Sequence, residues 1–267
     1  MKLNHLKAYL KVWLKLTAQQ FQSQVANSRG AAFIFILGKL FRLASALLLV
    51  YVVVGKAELI SGYSLKQAIF LLLIFNLVQT ISQLFLRGVY IFRQKVVDGT
   101  FDFYMLNPLS ELFYSLFSYT DPIDIIVSLP FVFFVGWSWV SLGYPITLLS
   151  VALLLTAIIL STLMVVAWHI VIIGVGVKYL EVDNTVMLYR DLERMAAFPV
   201  SIYGKAGEAF LTYVFPFALM ATIPANIIFG LLNPWYLLGF GVLAIMQLKV
   251  SLWFWHRCLQ TYSSASS

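Results

Sequence analysis

RQKVVDGTFDFYMLNPLSELF, residues 93–113, is a polar island with Gly99, Asp102, Asn107 and Pro108 at its centre. On both sides the chain turns almost wholly apolar, through 67–92 before it and 122–140 after it. The whole sequence shares that bias: of 267 residues, 61% are hydrophobic and 11% charged, against roughly 45–50% and about 25% in soluble domains. This chain is built for a bilayer, and it leaves little length for a separate water-soluble domain.

A membrane-crossing helix needs about 20 mostly apolar residues. Such runs occupy 31–54, 67–92, 113 or 122–140, 147–177 and a proline-interrupted region that ends with 235–256. Their length favours helices over the roughly ten-residue alternating strands of a membrane barrel. The expected fold is an all-α polytopic membrane protein with six transmembrane helices. Basic residues near span ends stay on the cytoplasmic side. Lys2, Lys7, Lys11, Lys15 and Arg29 place the first thirty residues inside, and Arg87, Arg93 and Lys95 place the island there too. The uncharged SLGYP at 141–145 falls outside, and His256 and Arg257 close the last span inside. Both termini are therefore expected in the cytoplasm, with the chain in a plasma membrane. Trp137, Trp139, Trp235, Tyr236, Trp253 and Trp255 sit near span ends, where aromatic belts form. The division that follows is 1–30 as an amphipathic leader, 31–256 as the transmembrane domain, and 257–267 as a short cytoplasmic tail.

Within the leader, LNHLKAYLKVWLKLTAQQFQ puts Leu3, Leu6, Leu10, Trp13, Leu14 and Phe21 on one helical face, and Lys7, Lys11 and Lys15 on another at i, i+4 spacing. That pattern suits a helix lying in the inner membrane interface, its lysines toward anionic lipid. A helix packed on a protein partner is the other reading. The net charge of +7 is spread along cytoplasmic flanks, as topology alone produces, and gives no reason to expect nucleic acid. Lys39 and Arg42 lie inside the first apolar run, where a charge at mid-bilayer costs about 2.5–3.5 kcal/mol; both are expected to snorkel to the inner interface. Asp121 and Asp124 precede the next span, where acidic residues favour a helix N-terminus.

A cytoplasmic connection as long as the island is either disordered or docked. Val96, Val97, Phe101, Phe103, Tyr104, Met105 and Leu106 give it apolar contacts, Gly99 allows a tight turn, and Pro108 stops a helix near residue 107. The expectation is a short helix with a surface to present. The order Gly99-Thr-Phe101-Asp102, then Met105-Leu106-Asn107-Pro108-Leu109, resembles the membrane subunits of ABC-2-type exporters, in the branch with a cytoplasmic G-x-hydrophobic-D-x-x-L-x-x-P-L pattern. Asn107 stands where that branch usually has a basic residue. FPVSIY at 198–203, FPFALMATIPANIIFG at 215–230 and the closing YSSASS at 262–267 are similar to the same branch.

The resemblance implies a permease subunit of an ATP-driven exporter. Gly99, Phe101, Asp102, Leu106, Pro108 and Leu109 would couple it to a separate ATP-binding subunit that carries ATP and Mg, and it would pair with a second permease copy or homologue. The chain's own Gly-Lys pairs, at 38–39, 55–56 and 204–205, are not followed by Ser or Thr, so no phosphate-cradling P-loop is present.

NTVMLYRDLERMAAFPVSIY, 184–203, divides two readings. Hydropathy makes it a cytoplasmic loop with 209–232 as the fifth span, Arg190, Asp191, Glu193 and Arg194 forming a solvated set of i, i+3 and i, i+4 pairs. The resemblance implies instead that 184–203 crosses, that these four charges pair within the bundle near a translocation path, and that Pro216 and Pro224 mark a re-entrant hairpin before the last helix. No catalytic or metal set emerges: His5, His169 and His256 are scattered, and Cys258 is the single cysteine. The rival functions are a membrane-embedded enzyme and a secondary transporter; the latter would often show related halves, which are absent here.

Overall fold

The structure, a computed structural model, describes residues 2–26, 29–57, 61–179 and 182–262. Every regular element in it is helical. Among the described residues, four helical stretches are long and apolar enough to cross a membrane: Leu65–Val97, Ile123–Leu142, Leu148–Tyr179 and Tyr236–Leu259.

The first of these is the hub. It starts as α3 (Leu65–Leu86), where Ser64 and Gln67 form a capping box that satisfies two otherwise unpaired N–H groups. It then passes through a tight turn at Arg87–Ile91 into α4 (Phe92–Val97). Its apolar window is 72% buried against 22–28% for the other three, so it sits inside the bundle while they line its outside. Two buried polar groups on α3 are satisfied by their own helix: Asn76 Nδ2 donates to Leu72 O at 2.8 Å and Ser82 Oγ to Val78 O at 2.9 Å.

Around the hub run α2 (Arg29–Ala57), α7 (Ile123–Leu142), α8 (Leu148–Tyr179) and α12 (Tyr236–Leu259). α7 lies along α3, with Trp139 edge-on to Phe70 at 6.0 Å. α8 and α12 form the closest pair of long helices. Gly174 permits this approach, because a Cβ there would meet the Phe254 ring at 2.9 Å.

Two ends of the bundle can be told apart by their contacts. At one, Lys66 Nζ donates to Ser141 O and Gln67 Nε2 to the Tyr144 hydroxyl. At the other, the island gathers with the C-terminus of α12. From the island end, α9 (Val182–Arg194) leaves beside α8 and α4; the chain then reaches Ser201, which accepts from Ser61 Oγ at 2.8 Å at the far end. Residues 182–203 thus run the length of the bundle.

The next segment holds α10 (Gly204–Ala209) and α11 (Thr222–Ile228), and it goes inward and returns. Phe215 stacks on Trp168 at 4.0 Å, and Leu219 O accepts from Ser161 Oγ at 2.6 Å, part-way along α8. Asn226 Oδ1 then accepts from the Tyr63 hydroxyl at 2.7 Å, back at the far end. Its irregular stretch around Pro216 is buried from Pro216 to Ala225.

Several sequence expectations change. Lys39 does not snorkel: its ammonium pairs with Asp124 and lies 3.5 Å from Asp121, which also takes a 2.8 Å bond from Arg87 Nη1. Both aspartates are buried where α2, α3 and α7 meet, so the two carboxylates need cations more than they need a helix end. Asp121, one residue before the N-cap Pro122, still accepts from the first N–H of α7, Ile123 N to Oδ1 at 3.2 Å. The Arg42 side chain lies outside the described residues. Trp139 and Trp255 are core residues, not belt residues, whereas Trp137, Trp235 and Trp253 face outward.

Removing one partner of a buried ion pair leaves an uncompensated charge, at about 3–5 kcal/mol. Lys39→Met should therefore lower the thermal unfolding temperature of the purified protein sharply, and adding Asp124→Asn should recover most of the loss. Equal melting of Lys39→Met and the parent would show that the pair contributes nothing.

Candidate functional site

The island folds into two short helices joined to the hub. α4 ends at Asp98, and Gly99 turns the chain with φ +74°, a left-handed conformation that costs other residues roughly 1–2 kcal/mol. Asp98 Oδ1 accepts from Thr100 N at 3.0 Å. Hydrogen bonds from Thr100, side chain and backbone, hold the Asp98 carboxyl below its ordinary range. α5 (Thr100–Leu106) follows and stops at Asn107, extended before Pro108 as the sequence requires. Ser110 caps α6 (Glu111–Phe117) by accepting from Phe113 N.

α5 has two faces with different tasks. On the inner face Phe101 is fully buried, edge-on to Phe92 at 5.4 Å, Trp255 at 6.2 Å and Tyr262 at 5.1 Å. Asp102 Oδ1 accepts from the Tyr262 hydroxyl at 2.8 Å, and Trp255 Nε1 donates to Glu111 Oε1 at 3.3 Å. Tyr104 stacks on Tyr114 at 5.4 Å. These contacts fasten the island to the end of α12 and to α6. The outer face carries Phe103, 68% exposed, and Leu106, 82% exposed; Val97 and Met105 are exposed as well.

The six island residues named from sequence therefore separate. Gly99 makes the turn, Phe101 and Asp102 face into the bundle, Leu106 and Pro108 face out, and Leu109 is half-buried. Phe103 was missed. Its i, i+3 spacing to Leu106, on the side away from Phe101, is the signal that could have found it.

The leader helix α1 (Lys2–Phe21) lies against this site. Tyr9 meets Phe113 at 4.9 Å and accepts from Ser110 N, Trp13 packs on Phe85 at 5.5 Å, and Thr120 Oγ1 donates to Thr17 Oγ1 at 3.0 Å. Trp13 thus leaves the apolar stripe expected of it. Leu6, Leu10, Leu14 and Phe21 point outward, and Lys7, Lys11 and Lys15 are exposed beside them.

The four α9 charges do not form one cluster. Arg194 Nη1 and Asp191 Oδ1 pair at 3.1 Å on an exposed face. Glu193 is buried and accepts from Gln79 Nε2. The Arg190 guanidinium lies over the Tyr90 ring at 5.5 Å. His169 packs edge-on to Tyr189 and shares a hydrogen bond with Val165 O. Among the described residues no group of three or more His, Cys, Asp or Glu is placed to hold a metal ion.

Compared with known protein families, residues 40–266 match the ABC-2 family transporter proteins. The chain belongs to that family. No curated protein and no solved structure matches it. The ABC-2 match takes in the island, the whole bundle beyond the first part of α2, and the α12 end that grips α5. With the long apolar helices, it points to a multi-pass membrane subunit of a transporter.

If Tyr262 clamps α5, then Tyr262→Ala should release it locally. Amide exchange across residues 101–106 should quicken by about tenfold, because local opening sets the exchange rate, while amides of α8 and α12 stay protected. Unchanged exchange in 101–106 would refute the clamp.

Proposed function

We propose that this ABC-2 subunit is the permease of an ATP-driven exporter, and that the outer face of α5 docks on a separate ATP-binding subunit. One observation carries the reading. Two large apolar side chains, Phe103 and Leu106, stand in the open on a helix whose opposite face is fastened to the last long helix. An exposed apolar patch on an otherwise anchored element is what a partner-binding surface offers. ATP and Mg belong to the partner, since this chain has no P-loop. Two permeases, copies or homologues, would enclose the path between them.

In this reading α2, α3 with α4, α7, α8, residues 182–203 and α12 make six crossings, and 204–229 is a re-entrant hairpin. Its support is the return of the chain to Tyr63 and the burial of its irregular backbone; non-helical backbone at membrane depth is tolerated only when covered by protein or facing water. The island end is cytoplasmic, as are both termini, in a bacterial inner membrane. α1 lies in the inner interface with Lys7, Lys11 and Lys15 near anionic lipid and Leu6, Leu10 and Leu14 in the acyl boundary.

Motion then has a defined route. Closure of the ATP-binding subunits displaces α5, and Phe101, Asp102 and Glu111 pass the displacement to Trp255 and Tyr262 at the end of α12. Because α12 packs along α8, the stroke reaches the middle of the bundle.

The docking surface is tested by Phe103→Asp with Leu106→Asp. The double variant should insert normally yet lose both the copurifying ATPase and transport; an ATPase retained at parental levels would place the contact elsewhere. The topology is tested separately by Lys205→Cys on a Cys258→Ser background. An impermeant thiol reagent should label it only from outside the cell, and labelling only from the cytoplasm would exclude the hairpin.

A further inference from the structure

A cavity of about 520 Å³ opens between α2, the end of α3 and α9. It lies at the island end of the hub, and no residue of α5 lines it. Three cations from three different elements line it: Lys39, Arg87 and Arg190, with Gln83 and Tyr90 between them. Its volume falls within the roughly 300–1,000 Å³ of small-ligand sites.

The charges around it do not cancel evenly. Lys39 and Arg87 are held by Asp124 and Asp121. Arg190 has no carboxylate within 4 Å among the described residues. On its own helix Asp191 is paired with Arg194, and Glu193 accepts from Gln79. Around the cavity, Arg190 therefore presents a guanidinium whose only described partner is the face of Tyr90, and a guanidinium offers the planar fork that phosphate oxygens match.

The opposite wall is apolar. Ile34 and Gly38 of α2 complete it, and the same helix continues with Leu37 and Phe41 exposed. A Cβ at Gly38 would meet nothing within 4 Å, so the wall is open there. A cationic pocket whose mouth gives onto an apolar helix face matches one molecule with an anionic head and hydrocarbon chains.

We propose that this cavity binds the phosphate headgroup of an anionic phospholipid, with its acyl chains laid along α2. Arg190 is the principal contact, and Arg87 and Lys39 add to the field while staying paired. The site needs neither ATP nor a partner subunit, so it stands or falls apart from the docking of α5.

Native mass spectrometry of the delipidated full chain tests it. Dioleoyl phosphatidylglycerol should bind at least about fivefold tighter than dioleoyl phosphatidylcholine, the scale of one basic contact with an anionic headgroup. Arg190→Gln should remove that preference and Arg190→Lys should keep most of it. Gly38→Leu leaves every charge in place but fills the open wall; it should weaken phosphatidylglycerol binding by about fivefold or more on the same scale, and it serves as the reading if Arg190→Gln fails to fold. Equal binding of the two lipids, or no effect of either substitution on a folded variant, would overturn the site. Glycerol 3-phosphate or inorganic phosphate binding as tightly as phosphatidylglycerol would overturn the lipid assignment and make the ligand a soluble phosphate.

Discussion

Hydrocarbon offers no hydrogen bonds, so backbone groups carried to membrane depth must be satisfied inside the protein, and buried polar side chains gain by the same pairing. This constraint accounts for more of the structure than any single contact. It explains why Asn76 and Ser82 bond back to their own helix, and why Ser161 reaches across to Leu219 O. It also explains why the irregular backbone around Pro216 lies under other helices rather than toward lipid. The cluster of Lys39, Arg87, Asp121 and Asp124 obeys the same rule with charges. Two buried carboxylates at the start of α7 are held by one cation from α2 and one from the end of α3, and the cluster thereby fixes how three helices meet.

Much of the bundle was legible in the sequence because length and mean apolarity are properties of a single segment. The long helices fall where the apolar runs fall, and α5 ends at Asn107 because Pro108 disfavours helix in the residue before it. What could not be read are properties of pairs. Hydropathy averages around the helix axis, so it could not tell that Trp139 and Trp255 turn inward while Trp137 and Trp253 turn out. The same averaging hid the partner of Lys39, which lies 85 residues away in the chain. Snorkelling was the answer for an isolated lysine, and Lys39 is not isolated.

The island was legible as a short helix ending before Pro108 but not in the way its two faces divide. Gly99, Phe101, Asp102 and Leu106 were grouped by their order along the chain, whereas helix geometry places Phe101 and Leu106 in opposite environments. Tyr262 supplied no signal at all, because a tyrosine near a chain end has no pattern until its ring is found on Phe101 and its hydroxyl on Asp102. The leader helix was misread in one residue for a related reason: Trp13 belongs by periodicity to the leucine stripe, but its contact with Phe85 holds α1 to the bundle.

These corrections bear on how force would travel. A docking helix that met a motor through Phe101 and Asp102 would have to release its grip on α12 each time it engaged, and the stroke would be spent in that exchange. With Phe101 and Asp102 turned inward, engagement through Phe103 and Leu106 costs none of the contacts to Trp255 and Tyr262. α5 can then move as a rigid piece with the end of α12, and Tyr9 and Thr17 of α1 brace the α6 side of the same unit. Close packing of α12 on α8, permitted by Gly174, would on the proposed docking carry a displacement at the island end along the helix pair. On the proposed docking, the arrangement would convert a contact on one short helix into a shift of two long ones.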